Sequence, residues 1–344
     1  MLYCQAWSRI QQKLTAYKLK ELPIIIVWVL LLTGCTGSDE DKLWELALQG
    51  YYSSALSSDG NYAVIGSIYH GGSCWELPKS ERLYDWNHAK EQLSNLVSVD
   101  VAGNNLVAAT VDDLRTIVLW DLATGKSLAY WQAPGEVSSL SLTQDGGLAF
   151  LGISSDTRAI VFNIKQGGIV RTVEHEDRVN DVAISAGGDL GITGSDDFTA
   201  KLWNLNTGEM LHSWDLGNKI TTVELSPDGF YAFISAQSGL AQIRETGSGK
   251  LVHELNEYVH WMQRGDTYTS ARFSVDSSQL LTGSNNREIK LYQVKDKKIL
   301  KRWTVSKRSW WLPTGVAMQS VAFGEKMGTY YALGSNGYAY LLKK

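Results

Sequence analysis

Apolar and polar residues along this chain alternate in short runs broken by Asp-Gly and similar turns, and the runs recur at a nearly fixed spacing. A small residue stands at Gly66, Ala109, Gly152, Gly194, Ser235, Gly283 and Gly334, at intervals of 43, 43, 42, 41, 48 and 51 residues. Ten residues before each lies an apolar one, at Leu56, Val99, Leu142, Ile184, Leu225, Phe273 and, shifted by one, Phe323. Between the two marks falls a turn, written Ser58-Asp59-Gly60, Gln144-Asp145-Gly146 and Pro227-Asp228-Gly229 in three of the repeats. Asp-Gly between short apolar runs is a hairpin signal, because glycine accepts the positive φ such turns demand. The pattern predicts strands joined by tight turns.

After each small residue comes a further mark, at Trp75, Trp120, Phe162, Trp203, Arg244 and Tyr292. Beyond a second turn stand Trp86, Trp131, Val173, Trp214, Leu255 and Trp303. Each repeat therefore reads as four short antiparallel strands, the pattern of a propeller blade. After Gly334 the sequence supplies a third strand and no fourth, while Lys42 to Leu48 offers an unassigned strand near the other end. The expected fold is all-β, a seven-bladed propeller closed by pairing strand 42–48 into the last blade, which removes open sheet edges.

These residues resemble the WD-repeat β-propeller family over nearly all of the chain after the first 41 residues. The family dipeptide stands intact as Trp120-Asp121 and softened as Trp75-Glu76 and Trp203-Asn204. In one repeat 27 residues separate His175 from Trp203, and residues 195–204 follow the family's strand, turn and strand. The resemblance implies a structural network of His175, Asp197, Trp203 and either Thr193 or Ser195. Physically, a buried indole N–H and imidazole need partners, which a hydroxyl and a turn carboxylate supply. We read it as a buried network rather than a catalytic Ser, His and Asp. Arg244-Glu245 and other blades depart from the pattern.

The amino-terminal segment has a different texture. Basic residues precede a nine-residue apolar run, Ile24 to Leu32, far short of the roughly 20 residues a membrane-crossing helix needs. It leads into Leu32-Thr33-Gly34-Cys35, which resembles the bacterial lipobox. The organisation expected from this is a signal peptide over 1–34, a lipidated tether over 35–41 with lipid on Cys35, and a propeller over 42–344. Thr36 after the cysteine, in place of the aspartate of the enterobacterial sorting rule, implies the outer membrane facing the periplasm. Losing 1–34 removes four basic residues and one acid from totals of 32 and 36, leaving 28 against 35, a balance of −7. Nucleic-acid binders need a basic field, so nucleic acid is not an expected partner. Of three cysteines only Cys74 would remain unmodified, which excludes an intramolecular disulfide framework and suggests a buried strand residue.

Thirteen tryptophans are many for 344 residues, and in the mature chain three fall outside the repeat. Trp261, Trp310 and Trp311 sit where the period stretches to 48 and 51 residues. In the propeller family such connections emerge on one face. Tyr258, Trp261, Arg264, Arg308, Trp310 and Trp311 are therefore the candidate partner-binding residues, since aromatics beside arginine dominate binding hot spots. The lysines at 295, 297, 298 and 301 with Arg302 surround a turn expected on the opposite face, either a solvated hairpin or a contact for anionic headgroups. No cofactor, metal-ligand spacing or activated nucleophile is apparent. The function expected is a non-enzymatic interaction scaffold on a membrane-anchored periplasmic lipoprotein, docking a periplasmic or envelope protein. The alternatives are a channel that binds a small ligand or catalyses a reaction, and a factor for envelope or outer-membrane protein assembly.

Overall fold

The computed structural model describes residues 38–90, 92–255, 267–308 and 315–344. Among them lie 28 strands, β1 to β28 in chain order, and no helix. They form seven four-stranded antiparallel sheets. Blade 1 is β2 to β5 (51–85), blade 2 β6 to β9 (96–132), blade 3 β10 to β13 (137–174) and blade 4 β14 to β17 (179–215). Blade 5 is β18 to β21 (220–254) and blade 6 β22 to β25 (268–304). Blade 7 takes β26 to β28 (318–343) together with β1 (Glu40–Glu45), in the order β1-β28-β27-β26. The first strands of successive blades lie side by side, and β26 returns beside β2, so the ring is closed. The expected seven-bladed propeller is the observed fold.

The closing strand is shorter than the 42–48 expected. Pairing begins at Glu40 opposite Leu342 and ends at Glu45 opposite Tyr338. Beyond it Leu46 and Ala47 both donate their N–H groups to the Gly337 carbonyl, at 2.9 and 3.1 Å, which bends the chain off the ladder. At the other end the Asp39 N–H meets Thr304 O at 3.0 Å, tying the start of β1 to the fourth strand of blade 6.

The apolar core is divided among the blade junctions. Seven hydrophobic clusters are found among the described residues, each formed by two adjacent blades. This explains why second strands such as Leu148–Ile153 read as apolar throughout: both of their faces pack against a neighbour. Fourth strands lie outermost and are largely exposed, as in Ser127–Gln132. The recurring small residue marks where a second strand meets the next blade. A Cβ added to Gly66 would lie 2.7 Å from Leu96 Cβ, and one on Gly283 2.4 Å from Met318 Cβ. In the turns, Gly229 takes φ +73°, while Asp228 accepts from Ser226 Oγ and from the Phe230 N–H.

Two marks shift against the sequence reading. β7 spans Val107–Asp112, so Val111 rather than Ala109 holds the place of Gly152, and Val101 rather than Val99 the place of Leu142. In blade 7 Leu333 rather than Gly334 holds it. Moving blade 2 by two residues exposes a long connection the spacing had concealed, from the end of β5 at Asp85 to the start of β6 at Leu96.

The tryptophans do two separate jobs. Trp75, Trp120 and Trp203, in third strands, donate to a hydroxyl within their own blade, at Ser73, Thr110 and Thr193. Trp86, Trp131, Trp214 and Trp303 donate to carbonyls of the next blade, at Gly125, Ile164, Gly249 and Lys343, over 2.9 to 3.1 Å. Trp44 instead stacks on Tyr331, with centroids 6.3 Å apart.

Candidate functional site

His175 precedes β14 in the connection from blade 3. Its Nδ1 lies 2.8 Å from Asp197 Oδ2 and its Nε2 2.6 Å from Thr193 Oγ1. Trp203 Nε1 donates to the same Thr193 oxygen at 2.8 Å. With the indole donating to it, the Thr193 hydroxyl can give its own proton to Nε2, which leaves the imidazole neutral with its proton on Nδ1 facing Asp197. Burial lowers the His175 pKa, outweighing the pull of Asp197. Burial also works to raise Asp197, but the Thr199 hydroxyl, the Glu176 and Thr199 N–H groups and His175 together hold it at about 2. Of the two hydroxyls the sequence offers, Thr193 is the bridge. Ser195 Oγ instead donates to Asp177 O and accepts from the Asp197 N–H, both at 3.1 Å. Thr193 and Ser195 are fully buried, so neither hydroxyl is open to attack a substrate carbonyl.

Blade 2 repeats the arrangement with residues the sequence reading missed. His88 Nδ1 meets Asp112 Oδ2 at 2.9 Å and its Nε2 meets Thr110 Oγ1 at 2.7 Å, while Trp120 donates to Thr110 at 2.8 Å. His88 lies in the long connection, with 31 residues between it and Trp120 against 27 in blade 4, so a search at fixed spacing passes over it. The legible signal was the interval of ten residues from Thr110 to Trp120 and from Thr193 to Trp203.

The inner strands line a cavity of about 360 Å³. Each first strand bulges after its first residue, and polar side chains beyond the bulge stitch one blade to the next. Ser53, Ser138, Asn180, Thr222, Ser270 and Gln319 each donate to the carbonyl of the first residue of the following inner strand. At the junction from blade 2 to blade 3 Asp100 Oδ2 accepts from the Leu142 N–H at 2.8 Å, and Asp181 Oδ2 accepts from Val223 N–H at 2.9 Å further round. These contacts answer the backbone groups that inner strand edges would otherwise leave bare.

Asp100, Asp181, Glu224 and Arg272 converge on this cavity from four blades. Burial pushes Asp100 up to about 6 and Glu224 up to about 8, with the Arg272 guanidinium pulling both back. It raises Asp181 as well, against the Ser139 hydroxyl and two backbone N–H groups. The sequence reading found no convergent carboxylates, because residues 100, 181 and 224 are brought together only by ring closure. Among the described residues no group of histidine, cysteine and acidic side chains has the arrangement to hold a metal ion.

Of the candidate partner-binding residues, Arg308 is described: it pairs with Glu45 at 2.6 Å, donates to Ala47 O at 2.9 Å and lies over the Tyr338 ring at 5.0 Å. It thus ties blade 7 to the chain leaving β1. Tyr258, Trp261, Arg264, Trp310 and Trp311 lie outside the described residues, as does Cys35. Cys74 is fully buried in β4, and burial pushes its thiol up to about 12, as suits a core side chain.

The family model described as WD domain, G-beta repeat matches residues 167–204. That stretch runs through the fourth strand of blade 3 and the first three of blade 4, and it contains His175, Thr193, Asp197 and Trp203. The guanine nucleotide-binding protein subunit beta of Zea mays is 27% identical over 194 residues, covering 52% of this chain and 50% of that protein. The small ribosomal subunit protein RACK1z of Oryza sativa subsp. japonica is 30% identical over 121 residues, covering 35% and 36%. The U3 small nucleolar RNA-associated protein 15 homolog of Xenopus tropicalis is 25% identical over 192 residues, covering 55% and 36%. The chain spans half or less of the length of each of these relatives. It is thus similar to them over part of its blades, and it is a seven-bladed β-propeller whose residues 167–204 match a WD repeat.

Proposed function

We propose that this chain is a protein-interaction scaffold without catalytic activity, which docks a periplasmic or envelope protein on the propeller face that carries the connections from fourth to first strands. The observation that carries this reading is the apolar surface on that face. Tyr52 and Tyr69 of blade 1 and Leu93, Val97 and Leu114 at blade 2 are between 36% and 71% exposed. Single apolar side chains also stand on the opposite face, but one to a blade, at Leu106, Phe230, Val275 and Met327. Grouped apolar exposure is what a docking surface requires, whereas scattered residues are ordinary. The longest connections from a fourth strand to the next first strand, Glu254 to Tyr268 and Thr304 to Met318, carry Trp261, Trp310 and Trp311 in their sequence.

The anchor completes the proposal. Cys35 takes the lipid and holds the propeller at the outer membrane, facing the periplasm. Asp39 bonds Thr304, so three residues, 36–38, separate Cys35 from the propeller, a length of about 10 Å when extended. β1 runs antiparallel to β28 and so enters from the face of the turns between first and second strands. That direction supports a membrane-side placement of this face and of the lysine turn at 295–298, while the Asp39 contact keeps Thr304, where the connection to Met318 begins, near the tether.

Crosslinking in intact cells followed by affinity capture tests the reading. The wild-type chain is expected to capture a partner that Trp261→Ala/Trp310→Ala/Trp311→Ala and Leu114→Asp variants lose while they keep their melting temperature. A Cys35→Ala variant should leave the membrane fraction. Equal capture by the surface variants, or quenching of Trp261, Trp310 and Trp311 in the wild-type chain by brominated lipids, overturns the docking face.

A further inference from the structure

The cavity among the inner strands holds a guanidinium and a carboxyl group that the fold does not use. Asp100 and Asp181 are engaged: each accepts hydrogen bonds from the backbone of its own strand and of the next blade. Asp181 also accepts from Ser139 Oγ at 2.6 Å. Glu224 stands at the same fifth position of its strand as Asp100, and Arg272 at that position in the following blade. Among the described residues neither makes a hydrogen bond or an ion pair, although both are largely shielded from solvent and line the cavity. Their influence on one another is electrostatic only.

A guanidinium and a carboxyl that face one cavity without a protein partner are available to a ligand. Their chemistry is opposite and complementary. Arginine offers a planar fork that matches a carboxylate, and a carboxyl accepts from an ammonium. An anion alone would face three acidic groups, and a cation alone would face Arg272. A molecule with both ends answers both.

We propose that this cavity binds a small zwitterion carrying one carboxylate and one ammonium group, with Arg272 receiving the carboxylate and Glu224 the ammonium. The volume of about 360 Å³ falls within the roughly 300–1,000 Å³ usual for small-molecule sites. Val101, Leu142, Leu225 and Phe273, at the ends of the inner strands, give the cavity an apolar collar for the carbon chain. Pro227 and Val275, in turns after first strands, bring it to the face opposite the proposed docking surface. The site is therefore independent of partner capture.

The test is calorimetric titration of the full-length protein with ω-amino acids from glycine to 6-aminohexanoate, and with butyrate and butylammonium as single-ended controls. One chain length is expected to bind at least about tenfold more tightly than either control, with both Arg272→Gln and Glu224→Gln losing about tenfold or more. Thermal melting verifies that each variant is folded. Should Arg272→Gln fail to fold, Arg272→Lys takes its place, keeping the charge and losing the fork. The proposal is overturned if no member of the series binds below about 10 mM, if a single-ended control binds as well, or if the folded variants bind like wild type.

Discussion

Gln319 Nε2 in the last blade donates to the carbonyl of Tyr51 in the first, across 3.2 Å and 268 residues of sequence. It is the same stitch that Ser53, Ser138 and Thr222 make between consecutive blades, and here it closes the ring. The outer closure is separate, made by β1 on β28. Two seams thus hold together the ends of the chain, while the other contacts between blades among the described residues join sequence neighbours.

Deleting Ser38 to Glu45 should therefore abolish cooperative, monomeric folding. The β28 edge would be bared and Trp44 lost from the last junction, inviting edge-to-edge association. Sedimentation velocity and thermal melting check this. A deleted chain that stays monomeric with a sharp transition would mean the inner seam suffices.

The hub of the blade 4 network is Thr193, and replacing His175 or Asp197 by alanine should cost about 1–3 kcal/mol in urea denaturation. Thr193→Val strands both the indole and the imidazole and should cost at least as much. The penalty of His175→Ala has a pH signature. Burial depresses the folded pKa of His175, so its stability contribution is complete above about 6.5 and is lost as pH falls toward the folded value. The gap between wild type and variant is expected to narrow below about pH 6.5. Thr110→Val should reproduce the loss in blade 2.

Gly66→Ala should destabilise by about 1–3 kcal/mol, because its Cβ would fall 2.7 Å from Leu96 Cβ and Leu96 O at a packed junction. Gly247→Ala, with nothing within 4 Å, is the matched control and should change little. Equal melting temperatures for the two variants would show that the blades can separate to admit a methyl group.

Glu224 carries the opposite pH signature. Burial raises its folded pKa to about 8, so between its ordinary value and about 8 the unfolded chain ionises while the folded one keeps its proton. Stability is lost as pH rises through that window. Glu224→Gln mimics the protonated form and is free of the loss, so its advantage in melting temperature should grow from pH 5 to pH 8 and then level off. A pH-independent difference would place the Glu224 carboxyl in bulk-like solvent.

Much of the propeller was legible in the chain because each blade is a local object. Its strands pair with their sequence neighbours, so turn residues and apolar runs at a repeating interval fix its outline, and a strand left over at one end with a gap at the other fixes the closure. The buried partners of Trp203 were legible for the same reason, since Thr193, Asp197 and His175 belong to one repeat. Reading the interval as rigid misplaced blade 2 by two residues, since Val111 stands where five other blades carry a small residue, and His88 was lost with it. Which tryptophans bond within a blade and which reach to the next follows from how blades pack face to face, a relation that spacing does not encode. The cavity chemistry was decided by tertiary structure alone. Asp100, Asp181, Glu224 and Arg272 are each unremarkable in a strand of their own; only closing the ring sets them around one shared cavity, where they act on one another electrostatically.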